Sequence, residues 1–381
     1  MQLAFCLFKY FPYGGLERDF MRFLQEAIAR GHQCRVYCIK WQGQIPDGVD
    51  VRFVPIKALS NHRRNEKFAA YANDDIKRDP VDVVFGFNKM PGLDVYYAAD
   101  SCYEDKAQKN RSWLYRLGAR YRHFSKAEQS IFNRGQKTDI LLISETEKNK
   151  FIEHYDTEPD RMFMLPPGIS RDRCAPDNST EIRADFRCEF NLDDDDKLML
   201  FIGSGFIKKG LDRVIKSLAS LPAEKLAKTQ LYILGQDKEK NYRALAKKLN
   251  VADKVKFFNG RDDVPRFLLA ADILVHPALD EAAGIVLLEA VVAGLPVLVT
   301  DVCGYAPHID KADCGVVLST PFSQQNLNQQ LLAIYNDELM GRWRKNALSY
   351  AKNADLYSMH ATGIDCVERC FNRLHQSGDE R

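Results

Sequence analysis

The stretch EAAGIVLLE, residues 281–289, sets two glutamates eight positions apart around small and apolar residues. Carboxylates so placed can accept hydrogen bonds from the hydroxyls of a ligand, or can simply cap and solvate a helix. Which applies depends on where a helix begins. The run ILVHP ends at Pro277, and ALDEAAG follows as a loop. A helix predicted from about Gly284 then runs through IVLLEAVVAG and stops at Gly294. Glu281 falls in the loop just before that helix, and Glu289 in its second turn. The first free backbone N–H groups lie between them, and such an end favours an anion such as pyrophosphate. Two acids serving only the helix and the solvent fit the same spacing, and spacing alone leaves both readings open.

The elements around this stretch follow a pattern. QLAFCLF (2–8), CRVYCI (34–39), VDVVFGF (81–87), VYYAAD (95–100) and DILLIS (139–144) are strand candidates, separated by helical patterns such as LERDFMRFLQEAIARGH. At LPPGIS (165–170) two prolines and a glycine interrupt the alternation, and a hinge is expected there. It restarts with KLMLFIG (197–203), TQLYILG (229–235), KVKFFNG (254–260), DILVHP (272–277), PVLVT (296–300) and CGVVL (314–318). The expected class is α/β, with two doubly wound, Rossmann-like domains of parallel sheet facing each other across a cleft. The expected limits are 1–167, with 355–381 packing back on it, and 168–354. Ligands of such sheets bind at the carboxyl ends of the strands.

Composition narrows the class further. The 381 residues carry 54 basic and 52 acidic side chains, a formal charge of +2, so no global attraction to polyanions operates. Ten cysteines are scattered without CxxC or metal-ligand spacing and read as reduced thiols of a cytosolic protein. The N-terminal run reads as a strand rather than a signal peptide, and no run is long enough to span a membrane. The acidic run DDDD (193–196) reads as a solvated loop rather than a metal site.

The pattern E-x7-E after a strand, followed by AGLPV, resembles retaining glycosyltransferases of family 4, which have the GT-B fold. FKYFPYGGLERDFMR (8–22), GFNKMPGLDVYYAAD (86–100), YRHF (121–124), LPPGI (165–169) and VCGYA (302–306) extend the resemblance over nearly the whole chain. They resemble the members that glucosylate an inner-core heptose of lipopolysaccharide. The resemblance implies transfer of glucose from UDP-glucose to that heptose, with retention, without a metal or other cofactor. It also implies a place on the cytoplasmic face of a Gram-negative inner membrane. Glu281 would hold the hydroxyls of the transferred sugar and Glu289 the ribose. The backbone at Ala282, Ala283, Gly284 and Ile285 would meet sugar and phosphates. Lys209, in KKGLD, would neutralise charge on the leaving UDP. Relatives often carry an arginine directly after the glycine that ends this strand. Here Ser204 follows Gly203, and Lys208 or Arg173 is the candidate substitute. No carboxylate suited to a double displacement stands out, so the family's front-face route is the implied one.

Further candidates carry weaker signals. Arg261, in NGRDD, occupies the family's uracil position or is a surface arginine. Gly14 and Gly15 form a turn where backbone can approach phosphate or sugar. Asp19 lies one helical turn on, as an acceptor-site acid or a partner of the helix dipole. Asp100, at the end of VYYAAD, would orient the acceptor or stabilise positive charge on the sugar, or would cap the next helix.

Residues 103–134 form a basic aromatic segment. Trp113, Leu117, Tyr121, Phe124 and Ile131 fall at helical spacing among Arg116, Arg120, Arg122 and Lys126. Such a helix suits an anionic membrane surface, with Trp113, Arg116, Arg120, Tyr121, Arg122 and Lys126 as contacts. The alternative is a stripe packed on the core with its charges solvated. SNHRRNEK (60–67) is a second basic stretch, a grip for acceptor phosphates or a loop. Nucleic acid is not expected, because no recognition motif accompanies the charge. Competing readings are another UDP-hexose or N-acetylhexosamine donor, an epimerase or phosphorylase on the same scaffold, and a non-catalytic membrane scaffold.

Overall fold

Nearly every short apolar run becomes a strand buried on both faces, as a sheet covered by helices on each side requires. The computed structural model describes residues 1–12 and 14–376; Tyr13 of the PYGG turn, and 377–381 of the expected C-terminal return, lie outside them. The chain divides into one unit of residues 1–168 and 357–381 and a second of Ile169–Leu356.

In the first unit the strands are β1 (Gln2–Cys6), β2 (Lys9–Tyr10), β3 (Gln33–Cys38), β4 (Lys40–Trp41), β5 (Val49–Phe53), β6 (Val83–Gly86), β7 (Val95–Ala98), β8 (Asp139–Leu142) and β9 (Met162–Met164). Seven of them form one sheet in the order β5-β3-β1-β6-β7-β8-β9, with β2 and β4 as a separate ribbon. All pairs are parallel, for example Leu3 with Val83 across β1 and β6. One face packs Tyr37, Val84, Tyr96 and Ile140 against Phe68, Phe132 and Phe151. The other carries an aromatic cluster of Phe5, Phe20, Phe23, Phe85, Phe87 and Tyr97. The final helix, Met359–Gln376, returns to this unit, where Arg30 bonds Asp365 at 2.6 Å and Glu368 at 3.2 Å.

In the second unit β10 (Lys197–Ile202), β11 (Thr229–Leu234), β12 (Val255–Phe258), β13 (Ile273–His276), β14 (Val297–Thr300) and β15 (Gly315–Leu318) form a parallel sheet in the order β12-β11-β10-β13-β14-β15. Phe201, Ile233, Val275 and Leu298 face Val214, Ile215 and Leu218 of the helix Leu211–Ala219. Strand order reverses between β10 and β13. That switch point leaves a crevice at the carboxyl ends of these two strands, where a doubly wound sheet binds its ligand. The loop after β10 carries Lys209, and the loop after β13 carries Glu281.

Candidate active site

The helix at the switch point runs Ile285–Val292, and Gly284 precedes it with φ +83°. That left-handed backbone favours glycine. Glu281 therefore lies three residues ahead of the helix cap, and Glu289 within the helix. Tyr305 donates its backbone N–H to Ala283 O at 2.8 Å, and Glu281 itself bridges to Cys303, so the 302–306 segment fixes the loop from the far side. Ala282, Ala283 and Ile285 are partly exposed, while Gly284 is buried.

Lys209 and Glu281 form an ion pair through Nζ and Oε2, with side chains 20% and 19% exposed. Gly203 makes this possible. A β-carbon there would lie 2.7 Å from Cδ and Cε of Lys209, so any larger residue would displace the lysine stem. Hydrogen bonds tie the loop after β13 to the loop after β10 and to the helix that follows it. Leu279 donates to Lys208 O at 2.6 Å, and Arg213 Nη1 donates to Pro277 O at 3.0 Å. Burial pushes the Glu281 carboxyl up, but the polar contact with His276 and the charge of Lys209 outweigh it and hold it at about 2. Glu281 is thus ionised at any working pH.

His276, the last residue of β13, is completely buried, and its Nε2 lies 3.7 Å from Glu281 Oε2. Sequence reasoning passed over it, because a histidine in an apolar strand resembles a core residue. Asp237 was also missed. It accepts the Phe206 N–H at 2.8 Å and shapes the loop after β10. Ser204, in place of the family's arginine, accepts the Gln236 N–H at 3.1 Å and so serves the loop rather than a ligand.

The remaining donor candidates scatter around this centre. Glu289 is partly exposed, and its carboxylate forms no ion pair among the described residues. Lys208 is exposed and sits 3.8 Å from Asp280. Arg261 is engaged by its neighbours. It bonds Asp263 at 2.6 and 2.7 Å and lies 5.0 Å over the Phe267 ring. Arg173 lies in the short turn Arg171–Arg173. Ala175 just beyond donates to Val292 O at 2.9 Å, which sets that segment against the far end of the Glu289 helix rather than beside Lys209.

The first unit gathers acids at the carboxyl edge of its sheet. Asp19 accepts the Tyr97 hydroxyl at 2.8 Å and lies 3.6 Å from His360 Nε2. It sits in the second turn of the helix Gly15–Ala29, and the first-turn acid is Glu17. The Glu17 carboxyl is raised by burial and by the charge of Asp100, opposed by a backbone hydrogen bond. Asp100 is exposed and does not cap a helix. The next helix, Tyr103–Asn110, has Cys102 at its cap. Glu128 accepts the Tyr103 and Glu104 N–H groups at 2.8 and 3.0 Å, and Glu147 accepts that of Cys102 at 2.7 Å. The two glycines of the turn differ. Neither Gly14 nor Gly15 has positive φ. Gly14 leaves room for the Glu17 carboxylate, whereas a β-carbon on Gly15 would meet nothing within 4 Å.

The basic aromatic segment also departs from expectation. It is not one helix but Tyr103–Asn110, a 3-10 turn Trp113–Leu117 and the helix Ala119–Phe132, broken at Arg111–Ser112 and Gly118. The apolar stripe splits accordingly. Ile131 is in the core, and Phe124 packs 5.4 Å from Tyr103. Tyr121 donates its hydroxyl to Glu104, so its ring is held inward. Trp113, Leu114 and Leu117 point outward at 64%, 60% and 64% exposure. Arg116, Arg120, Arg122 and Lys126 are exposed. Lys126 and His123 line a cavity of about 270 Å³ with Asn65, Glu66 and Lys89, which brings part of the 60–67 stretch to its wall.

No two of the ten cysteines are joined in a disulfide. Among the described residues no group of three His, Cys, Asp or Glu side chains is placed to hold a metal ion, and no helix is long and apolar enough to cross a membrane.

A switch-point crevice with an ion pair beside a helix start, on one of two Rossmann-like units, defines a class. Residues 13–173 match the model of Glycosyltransferase Family 4, and residues 182–353 that of Glycosyl transferases group 1. The chain belongs to these glycosyltransferases and has their GT-B fold. It is similar to lipopolysaccharide glucosyltransferase WaaG of Escherichia coli K12, at 46% identity over 368 residues, 96% of this chain and 98% of that protein. The crystal structure of WaaG superposes with a TM-score of 0.88 at 47% identity, over 96% of this chain and 99% of that one. Anabaena Alr3699/HepE in complex with UDP-glucose gives a TM-score of 0.74 at 16% identity, over 97% and 100%, a likeness of fold.

Proposed function

We propose that this protein transfers glucose from UDP-glucose to an inner-core heptose of lipopolysaccharide, with retention. The observation that carries the reading is the Lys209–Glu281 pair at the switch point, in a chain 46% identical along 96% of its length to a lipopolysaccharide glucosyltransferase.

Glu281, ionised and held on one side, accepts hydrogen bonds from hydroxyls of the transferred glucose. The Ile285–Val292 helix start offers its N–H groups and partial positive charge to the diphosphate. Lys209 turns from Glu281 to the diphosphate as the glycosidic bond breaks, where its ammonium stabilises the charge that develops on the leaving group. Glu289, whose carboxylate has no ion-pair partner to give up among the described residues, takes the ribose hydroxyls. Arg261, stacked on Phe267 and held by Asp263, borders the base. Lys208 is the nearer substitute for the missing arginine. The acceptor hydroxyl loses its proton to the departing phosphate on the same face. The reaction needs no bound metal.

Asp19 and Asp100 lie on the acceptor side, where Gly15 leaves open backbone. Trp113, Leu114 and Leu117 enter the interface of an anionic membrane while Arg116, Arg120 and Arg122 meet lipid phosphates. The protein thus works as a peripheral enzyme on the cytoplasmic face of the inner membrane, and nucleic acid has no part in it.

The test is product analysis with UDP-glucose and a heptose-terminated, truncated lipopolysaccharide. One added hexose, linked with the donor's anomeric configuration, is expected. Inverted linkage would overturn retention, and incorporation from another UDP-sugar alone would overturn the donor.

A further inference from the structure

The proposed chemistry leaves one electrostatic problem. Without ligand, Lys209 neutralises Glu281. When the ammonium turns to a diphosphate, the carboxylate keeps its charge in a pocket where only 19% of its side chain reaches solvent. A charge left there without a partner is costly, and it would drift from the geometry that binds a sugar hydroxyl.

The groups facing Glu281 are few. Lys209 approaches from the loop after β10. Cys303 bridges it from the segment after β14, but burial, with the nearby Glu281 charge, raises that thiol to about 12, so it stays neutral. Asp301 is turned away and accepts from Thr320 N at 2.7 Å and from its hydroxyl. The remaining group is His276. It is 0% exposed, stacks on Phe201 with centroids 6.2 Å apart and planes at 21°, and among the described residues neither ring nitrogen has a hydrogen-bond partner. Two orphaned nitrogens in a fully buried ring are unusual, because buried polar atoms are nearly always bonded. Its Nε2 points to the same Oε2 that Lys209 holds, 3.7 Å away. That gap closes to hydrogen-bond range with a shift of less than an ångström. Burial and the Lys209 charge lower the imidazole pKa against the opposing pull of Glu281, so the ring is neutral and carries a single N–H.

We propose that His276 is the positioning residue of the donor site: with its proton on Nε2, it closes onto Glu281 when Lys209 departs and keeps the carboxylate in place for the sugar. This inference rests on the proposed transfer reaction. It explains the orphaned Nε2, since the hydrogen bond that satisfies it forms only in the donor-bound state.

The test compares wild type with His276→Leu and His276→Gln in the UDP-glucose transfer assay, across pH. His276→Leu removes the donor, and kcat is expected to fall on the order of 10–100-fold, the cost of leaving a buried charge without its hydrogen bond. Its acid limb is expected to move to higher pH, because Glu281 is then easier to protonate. His276→Gln, which retains an N–H donor, is expected to recover most of the rate and the wild-type limb. Equal loss in both variants, or no loss in either, would overturn the proposal. If His276→Leu does not fold, 15N spectra of histidine-labelled wild type decide. The Nε2–H tautomer with UDP-glucose bound supports the proposal, and the Nδ1–H tautomer refutes it. A wild type that transfers from no UDP-sugar would instead defeat the functional reading itself.

Discussion

The two units present carboxylates in opposite ways. In the second, Glu281 is mostly buried, ionised and clamped, with its pKa taken from 4.5 to about 2. In the first, Glu17 has its carboxyl raised, and Asp100 stands exposed. A ligand of fixed size and charge suits the first kind of site, in which the carboxylate is ionised and held before binding. A large amphiphilic acceptor suits the second, an open edge on a unit that also carries an exposed apolar turn. On the proposed function, donor recognition is built into the core of one unit, and acceptor recognition is spread over the surface of the other.

Substitutions should separate the two. Glu281→Ala or Lys209→Ala is expected to lower kcat by about 10²–10³-fold, the cost of removing one charged group from a polar transition-state site. Steady-state rates with saturating acceptor measure it. Equal rates would remove Glu281 or Lys209 from the site. Neutralising Arg116 and Arg120 together is expected to weaken binding to anionic vesicles about 30-fold, from roughly 1 kcal/mol per charge. Kinetics on a short water-soluble acceptor should not change. Cosedimentation at two salt concentrations checks this, and salt-independent binding would mean that the exposed Trp113 turn acts alone. Asp100→Asn is expected to raise the acceptor KM by about tenfold or more, the loss of roughly one hydrogen bond to a charged group, with the UDP-glucose KM unchanged. A rise in the donor KM instead would break the division between units.

The smallest expected effects concern stability, and they have opposite signs. Glu281 is depressed, so its contribution is present above pH 4.5 and fades as pH falls toward 2. Thermal unfolding of Glu281→Gln should therefore show a deficit at neutral pH that shrinks in acid. Glu17 is raised by burial and Asp100, so its ionisation penalises the folded state as pH rises. Glu17→Gln should raise Tm slightly at pH 7 and not at pH 3. The same sign for both variants would contradict the contrast.

The same contrast governs what the sequence revealed. The buried strands β1, β6, β10 and β13 are continuous apolar runs and were legible from composition alone, as was the helix start at Gly284 that frames Glu281. Strand β5 was not. VDVRF alternates polar and apolar residues on a half-exposed sheet edge, and its burial pattern leaves no apolar run to find. The 103–134 segment misled for a related reason. Its period ran through Gly118, where the chain turns, so residues read as one face lie on two elements. His276 was hidden because its strand is apolar throughout, and only tertiary packing sets its ring against Glu281. The engagement of Arg261 by Asp263 had a visible signal in NGRDD, an acid two residues on, whereas the placement of Arg173 had none.

UDP release tests the central claim most directly. Wild-type protein is given UDP-glucose, UDP-galactose or a UDP-N-acetylhexosamine, with and without heptose-terminated lipopolysaccharide. Acceptor-dependent release with UDP-glucose is the expected result. Release independent of acceptor, or none with any donor, would contradict it.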